Sequence, residues 1–321
     1  MSSGKWIPDL TATTPLDDAA RHVLSLRLEA VRDYLRLALH EPEKDPEYVH
    51  QLRVGTRRAV AALDIFALCL PEKVYRKARK RLRRQRRAAG AARDWDVFLA
   101  SLTEAPFKRT GRARPGFDFL IGYAVSQRVS AQSQLQDAND DFPFAFDRLV
   151  ADTLHALRCS DTDSMETLLD LACPVLNERL RQLEKASAKD LDNYENLHQV
   201  RIAGKRLRYA MEVFADCYSP EFREQYYAAV EEMQDILGRA NDSYVATRRL
   251  SGLRDHLKAT QPDGWKRYKP GIEGLLRYHE GQSPEERRHF EQWWQRWLES
   301  GGEKAFAAVL RSGAPPAVVE G

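Results

Sequence analysis

Signals that identify many enzymes and membrane proteins are missing from this sequence of 321 residues. It contains no G-x-x-x-x-G-K-[ST] loop, no G-x-S-x-G motif, no H-E-x-x-H motif and no paired-carboxylate motif. No stretch approaches the roughly 20 apolar residues that a membrane-spanning helix requires. We therefore expect a binding protein without catalytic residues, and one that is not inserted in a membrane.

Cysteine is scarce, and its spacing is uninformative for metal or redox chemistry. The four cysteines are Cys69, Cys159, Cys173 and Cys217; they form no CxxC pair, and each lies in an apolar helical context. This is not the spacing of a zinc site or a dithiol centre. The amino-terminal sequence MSSGKWIPDL lacks the apolar run of a secretory signal. We expect buried, reduced thiols in a soluble, cytoplasmic protein.

The sequence also lacks the alternating apolar and polar runs that are typical of β-strands. Apolar residues recur instead at helical spacings, for example at Leu52, Ala59, Leu63, Phe66 and Leu70. Spacings of three, four and seven place these side chains on one face of a helix. The pattern predicts an all-α protein.

Acidic residues are missing between Lys73 and Arg93, although the net charge of the whole chain is only +3. The cations within this segment are Arg76, Lys77, Arg79, Lys80, Arg81, Arg83, Arg84, Arg86 and Arg87. Such a run either faces a polyanionic partner or is neutralised by acids elsewhere in the fold. The candidate acids are Glu221, Glu224, Glu231, Glu232 and Asp235. We favour the polyanionic partner and keep the internal pairing open.

One stretch of the chain occurs twice. HQLRVGTRRAVAALDIF begins at His50 and HQVRIAGKRLRYAMEVF begins at His198, so the offset between the copies is 148 residues. The register holds without a gap as far as Leu102 and Leu250. A register kept over this distance indicates one structural unit used twice.

Each copy places cations on one face of its predicted helix. His50, Arg53 and Arg57 are spaced three and four residues apart, which puts their side chains on the same side. The corresponding residues of the second copy are His198, Arg201, Lys205 and Arg208. We predict that the two cationic stripes face a common space.

The repeat also predicts the organisation of the chain. The predicted domain spans 14–312, with repeat one at about 14–160, repeat two at about 161–312, and flexible tails at 1–13 and 313–321. Predicted helices cover about 15–40, 47–69, 71–89, 94–103, 116–138, 144–158, 164–188, 194–217, 220–237 and 242–259, with two or three more within 260–312. Gly90 is predicted to stop or kink a helix, and Asp94 and Asp242 are predicted to cap the helices that follow. These elements predict two helical bundles in a pseudo-twofold arrangement.

His50 and His198 have two interpretations, as structural histidines bonded to a neighbour or as donors to a phosphate. The repeat favours the second, because each is followed by Arg at +3 and by Arg or Lys at +7. Guanidinium and ammonium groups supply charge-assisted hydrogen bonds to phosphate, and imidazole supplies a further donor. A metal site is disfavoured because the cationic neighbours repel a divalent ion and no second ligand stands at ligand spacing.

The repeated H-x-x-R-x-x-x-[RK]-[RK] helix, the basic helix after it and the G-x-x-x-D segment resemble the CHAD family, the conserved histidine α-helical domain. The resemblance covers about residues 14–312, and both repeats carry the motif. It implies two pseudo-twofold-related helical bundles around a basic central groove or pore. It also implies binding of inorganic polyphosphate, with other polyanions as further candidate partners, and neither catalysis nor a cofactor.

The resemblance implies a set of polyphosphate ligands. They are His50, Arg53, Arg57, Arg58, Arg79, Arg83, Arg86, His198, Arg201, Lys205, Arg206 and Arg208. The E-x-E-x-K motif of the triphosphatase domain to which family members are often fused is missing, so a stand-alone CHAD protein is expected. Association with polyphosphate granules in the cytoplasm is a further expectation from the resemblance.

Two other function classes remain open. A nucleic-acid-binding protein would use the same arginines, but base stacking needs aromatic residues, and the segment from Lys73 to Arg93 contains only Tyr75. A phosphatase or kinase would need a metal and carboxylates near the cations, which no motif indicates.

Overall fold

The computed structural model describes residues 4–104, 111–157 and 166–312. Throughout these ranges the chain is helical and forms no β-strand; an isolated bridge pairs Pro15 with Thr167. The prediction of an all-α protein is confirmed. No helix in the described ranges is long and apolar enough to cross a membrane. Cys159 and the predicted tail at 313–321 lie outside the described residues.

Each half of the chain consists of a series of five helices in the described ranges. In the described part of the first half they are α1 (Leu16–His40), α2 (Glu47–Ile65), α3 (Glu72–Glu104), α4 (Arg114–Asp137) and α5 (Phe144–His155). In the second half they are α6 (Leu168–Ser187), α7 (Tyr194–Phe214), α8 (Ala228–Thr260), α9 (Pro262–Glu299) and α10 (Gly302–Ser312). A 3-10 turn follows α2 at Ala67–Cys69 and α7 at Ala215–Cys217, and a π-helical turn at Phe222–Tyr227 precedes α8.

Corresponding helices of the two halves have corresponding neighbours. α2 packs on α1 and α3, and α7 packs likewise on α6 and α8. α3 packs on α4, as α8 packs on α9. Between the halves, α1 packs on α6, α2 on α7 and α4 on α9. Each contact between the halves joins two helices that the repeat aligns, which supports one structural unit used twice. The twofold axis that would relate the halves stays a prediction.

Two predicted helix breaks do not occur. α3 continues through Gly90 and α8 continues through Gly238, so 71–89 with 94–103, and 220–237 with 242–259, do not form separate helices. The predicted capping roles of Asp94 and Asp242 are therefore wrong, because a residue inside a helix has no unbonded first-turn amides to accept from. An internal glycine costs only about 1 kcal/mol, which burial of the neighbouring apolar face offsets.

The segment before α1 is packed against the bundle, although the sequence predicts a flexible tail over 1–13. Ile7 and Leu10 are only 3% and 5% exposed. Arg27, itself buried in α1, donates hydrogen bonds to the carbonyl oxygens of Gly4 and Lys5 at 2.9 and 2.7 Å. These contacts place the described part of the segment, residues 4–13, against the helices.

Two hydrophobic clusters hold the helices together. The larger cluster includes Phe66 and Phe214 at the ends of α2 and α7, and it extends along α3 as far as Ala92. The second cluster joins the carboxyl-terminal parts of α3 and α8 to α4 and α9. There α4 and α9 approach so closely that a Cβ at Gly116 would lie 2.4 Å from the carbonyl oxygen of Tyr268. The parts of α3 and α8 between the clusters are left to line a cavity.

The described cysteines are free thiols. Cys69 and Cys217 are buried and Cys173 is half-buried. Burial raises the pKa of the Cys69 thiol to about 11 and that of the Cys217 thiol to about 12. Thiols that stay protonated at neutral pH are poor nucleophiles and poor metal ligands, so these two residues act as small apolar side chains.

Candidate anion-binding site

The cationic stripes of α2 and α7 line a single cavity of about 680 Å³, called here the cationic cavity. The stripes contribute His50, Arg53, Arg57, Arg201, Lys205 and Arg208. α3, α8 and α9 add Arg93, Arg239, Arg249, His279 and the carboxylates Asp94, Asp235, Asp242 and Glu286. Among the described lining residues, eight lysine and arginine side chains thus face four carboxylates. This excess of positive charge favours an anionic ligand.

The two stripes meet because of how their helices pack. The opposite face of α2 carries Leu52, Ala59 and Leu63, which are fully buried. With that face buried and with α2 packed on α7, the polar faces of the two helices flank the same space. The duplicated spacing of three and four residues therefore produces one shared cavity.

Lys205 stands among cations from both helices. Its charged neighbours are Arg57 and Arg53 from α2, and Arg201 and Arg208 from α7. Across the described ranges, no carboxylate forms an ion pair with this lysine. Burial, and then repulsion by these guanidinium groups, lowers the pKa of Lys205 to about 5. An anion bound here would return the proton to Lys205, because nearby negative charge favours the charged form.

Two of the arginines around Lys205, Arg57 and Arg201, show the same effect. Burial and the charge of Arg57 lower the pKa of Arg201. Burial also lowers the pKa of Arg57, although the side chain of Tyr209 forms a hydrogen bond with it. On α3, burial and then the charge of Arg57 lower the pKa of Arg86, which extends the cationic cluster beyond the cavity lining.

Acids and aromatic rings orient three of the lining arginines. Arg53 donates to the carboxylate of Asp94 at 2.6 Å. Arg249 donates to the backbone oxygen of Asp94 at 2.9 Å, and its guanidinium carbon lies 3.8 Å from the centre of the Trp95 ring. Arg208 is 3.7 Å from the carboxylate of Glu231. Asp94 therefore positions arginines at the cavity.

The two motif histidines occupy different surroundings. His50 lines the cavity, and its pKa is lowered by burial and then by Arg93. His198 lies outside the cavity lining, forms a hydrogen bond with the side chain of Asn241, and has a pKa lowered by burial and then by Arg201. Both imidazoles are held toward the neutral form, which still offers one N–H donor.

Several residues of the implied ligand set lie away from the cavity. Arg58 is buried and donates to both carboxylate oxygens of Glu212 at 2.6 and 3.1 Å. Arg79 donates to both oxygens of Asp64 at 2.7 and 3.3 Å. Arg206 is exposed and Arg83 half-buried, and neither lines the cavity. The structure thus gives Arg58 and Arg79 partners within the fold.

The basic run of α3 is only partly neutralised, and by acids of the first half. Its ion pairs join Arg76 to Glu72, Lys77 to Asp152, Arg79 to Asp64 and Arg81 to Asp141. Within the described residues, Lys80, Arg83, Arg84, Arg86 and Arg87 form no ion pair, and Glu231 pairs with Lys5 and Arg208 instead of with α3. Pairing of the run with the acidic segment of the second half, which the sequence left open, is therefore not observed in the described ranges.

Several polar lining residues that could contact an anion were not among the residues that the sequence implied. They include Arg93, Gln234, Arg239, Arg249 and His279. Arg93 had a signal, since it follows Arg86 by seven residues and so shares its face of α3. Gln234, Arg239 and Arg249 lie on α8 within the duplicated register, where only Gln234 aligns with an implied ligand, Arg86. His279 lies on α9, beyond the duplicated register.

The fold and the cavity define an all-α protein with a cationic cavity. A family model for the CHAD domain matches residues 22–251, which is more than half of the chain, so the protein belongs to the CHAD domain family. The structure is similar to the crystal structure of the CHAD domain from the plant Ricinus communis, with a TM-score of 0.69 and 25% identity over 90% of this chain and 94% of that one. It is also similar in fold to PptA from Streptomyces chartreusis, with a TM-score of 0.65 and 18% identity over 88% of this chain and 100% of that one. No curated protein matches the sequence.

Proposed function

We propose that this protein binds inorganic polyphosphate in the cationic cavity and performs no catalytic step of its own. The observation that carries the proposal is the position of Lys205, which is surrounded by Arg53, Arg57 and Arg201 and has no carboxylate partner among the described residues. Clustered, partly buried cations are costly in the free protein. A ligand that places negative charge beside each of them relieves this cost.

A linear polyanion suits the cluster better than a small anion does. The cations belong to α2, α7 and α8, with Arg86 and Arg93 on α3, so a compact anion would neutralise only some of them. A chain with about one charge per phosphate neutralises several in succession and releases a condensed counterion at each contact. By analogy with single-stranded nucleic acid, log affinity should fall against log salt concentration with a slope of about −0.7 per contact.

Nucleic acid is the less favoured partner. Tyr209, an aromatic residue of the cavity lining, is only 5% exposed, and its hydroxyl forms a hydrogen bond with Arg57. Phe98, another aromatic residue at the cavity, is 3% exposed. Neither ring offers a face on which a base could stack, and the third Phe or Tyr ring of the described lining, Tyr278, is half-buried. Stacking contributes about 1–3 kcal/mol per base in proteins that bind single strands, so one partly exposed ring is a small contribution.

Calorimetric titration with polyphosphate of defined length tests the proposal. We expect a long chain to bind more tightly than triphosphate by several orders of magnitude, because more cations are engaged. Equal affinity for the two would contradict recognition of a chain. RNA serves as the competitor: polyphosphate should displace it at low concentration, and the reverse result would favour the nucleic-acid alternative.

The absence of catalysis needs a separate measurement. The pure protein is incubated with long-chain polyphosphate and magnesium, and released phosphate is followed over time. We expect no release above that of a sample without protein. Turnover that persists through purification and is lost in a cavity variant would overturn this part of the proposal.

A further inference from the structure

Two neutral polar side chains of the cationic cavity are buried and lack a hydrogen-bond partner in the described ranges. Gln234 on α8 is 4% exposed and His279 on α9 is 6% exposed, and both line the cavity. Neither amide atom of Gln234 and neither ring nitrogen of His279 has a hydrogen-bond partner among the described residues. Because buried polar groups are nearly always hydrogen-bonded, two such residues in one cavity point to a ligand.

Gln234 is placed against the cationic stripe of α7. A Cβ at Gly204 would lie 2.2 Å from the Gln234 amide nitrogen, so the amide packs directly against the backbone of α7 at this glycine. Gly204 directly precedes Lys205 and lies one helical turn from Arg201 and from Arg208. The amide therefore reaches the part of α7 where the cations are concentrated.

His279 brings a hydrogen-bonding group from a third helix. Its ring makes an edge contact with the ring of Tyr278, and burial lowers its pKa. The imidazole is thus held toward its neutral form, which has one N–H donor and one acceptor nitrogen. Ser243 and Gln282 line the cavity from the same two helices, α8 and α9.

We propose that Gln234 and His279 form an uncharged hydrogen-bonding subsite for the bound polyphosphate chain. The Gln234 amide N–H and the His279 ring N–H donate to phosphoryl oxygens, which offer only acceptors to a neutral partner. This inference rests on the proposed function and adds ligands from α8 and α9 to the cations of α2 and α7.

The salt dependence of affinity distinguishes neutral side chains that contact polyphosphate from cationic ones. A neutral donor releases no counterion from the polyanion, so its removal lowers affinity and leaves the salt dependence unchanged. Replacing an unpartnered buried polar group by an apolar group of similar shape also relieves a desolvation cost in the free protein. A residue with a purely structural role would instead lower the stability of the free protein when it is replaced.

The variants Gln234→Met and His279→Phe test the inference in the full chain. Calorimetry with long-chain polyphosphate is carried out at several salt concentrations, and thermal unfolding is measured without ligand. We expect each variant to bind about tenfold more weakly, as for the loss of one hydrogen bond to a charged group. The slope against salt should equal that of the unaltered protein, and the melting temperature should be equal or higher.

Two further variants sharpen the comparison. Tyr218→Phe is the matched control, because Tyr218 is 5% exposed, its hydroxyl has no partner among the described residues, and it lies outside the cavity lining. Its affinity for polyphosphate should not change. Gln234→Glu keeps the shape of the side chain but places a carboxylate beside the anion, so it should weaken binding more than Gln234→Met does.

The outcomes separate this subsite from the proposed function. Unchanged affinity in both Gln234→Met and His279→Phe would overturn the subsite while leaving polyphosphate binding intact. Weaker binding accompanied by a lower melting temperature, or by a shallower salt slope, would also overturn it, since the effect would then come from damage to the fold or to the cationic stripes. No binding by the unaltered protein would overturn both the subsite and the proposed function.

Discussion

Arg53 and Arg201 occupy equivalent positions in two copies of one helix, 148 residues apart in the chain, and their side chains line the same cavity. Each is among the charges that lower the pKa of Lys205. Duplication thus concentrates more positive charge in one space than a single copy of the helix could supply. This concentration of positive charge lowers the stability of the free protein and raises its affinity for an anion.

Charge reversal at this pair should remove most polyphosphate binding. Arg53→Glu combined with Arg201→Glu replaces two cationic contacts with repulsive ones, and we expect the salt slope to become shallower by about 1.4, or 0.7 per lost contact. Circular dichroism should show unchanged helicity. The matched control is Arg76→Glu with Arg181→Glu, which makes the same change in net charge at side chains that are 74% and 71% exposed. If both double variants lose binding equally, net charge alone explains the affinity.

Lys205→Met should stabilise the free protein while weakening polyphosphate binding. The pKa of Lys205 falls from 10.5 in its ordinary state to about 5 in the fold. Between these values the unfolded chain holds a proton that the folded protein does not, so the residue costs stability that grows as pH falls from about 10 to 5. We expect urea unfolding to show a gain of roughly 1–3 kcal/mol at pH 7, larger at pH 6 than at pH 9. A variant that is less stable at every pH would contradict this account.

Polyphosphate binding at pH 7 should be accompanied by proton uptake. Bound phosphate raises the pKa of Lys205 from about 5, and it acts in the same direction on His50 and His198, whose pKa values are lowered in the free protein. Groups whose pKa rises on binding make affinity increase as pH falls, over the window between their free and bound values. Calorimetry in buffers of different ionisation enthalpy measures the uptake directly. We expect a clear uptake that is reduced in Lys205→Met, and no uptake in the unaltered protein would contradict the account.

Arg58→Met should destabilise the protein without changing the affinity of the molecules that remain folded. The side chain pairs with Glu212, which is 1% exposed, so its loss leaves a buried carboxylate short of its main partner. Breaking such a pair costs about 3–5 kcal/mol. Arg79→Gln is the comparison, because the pair with Asp64 is more exposed and should be worth about 1 kcal/mol or less. Denaturant unfolding and calorimetry together check both variants, and a direct loss of affinity in Arg58→Met would assign it to the site.

The sequence predicts the framework of the site because periodicity and duplication are local properties of the chain. His50, Arg53 and Arg57 share a face for reasons of helix geometry alone. Arg58 follows Arg57 by one residue, about 100° further around the helix. Its side chain therefore points to a different neighbour, Glu212 of the second half, which accepts a hydrogen bond from it. Its register equivalent, Arg206, is exposed, so identical motif positions acquired different roles through tertiary packing.

Other features of the site and its helices could not be read correctly from the sequence. Gly90 resembles a helix stop, but burial of the adjacent apolar faces keeps α3 continuous. Asp94 resembles a helix cap because it follows Gly90, the predicted helix stop. Its ion pair with Arg53 depends instead on how α2 packs on α3. Gln234 aligns with Arg86 in the repeat but is uncharged, and His279 lies beyond the duplicated register, so their position at the cavity is what distinguishes them.

A crystal structure of the protein with bound long-chain polyphosphate would locate the ligand. We expect a continuous chain of phosphates inside the cationic cavity, in contact with Arg53, Arg57, Arg201 and Lys205. A chain bound instead along the exposed cations of α3, such as Arg84 and Arg87, with no phosphate in the cavity, would contradict this expectation.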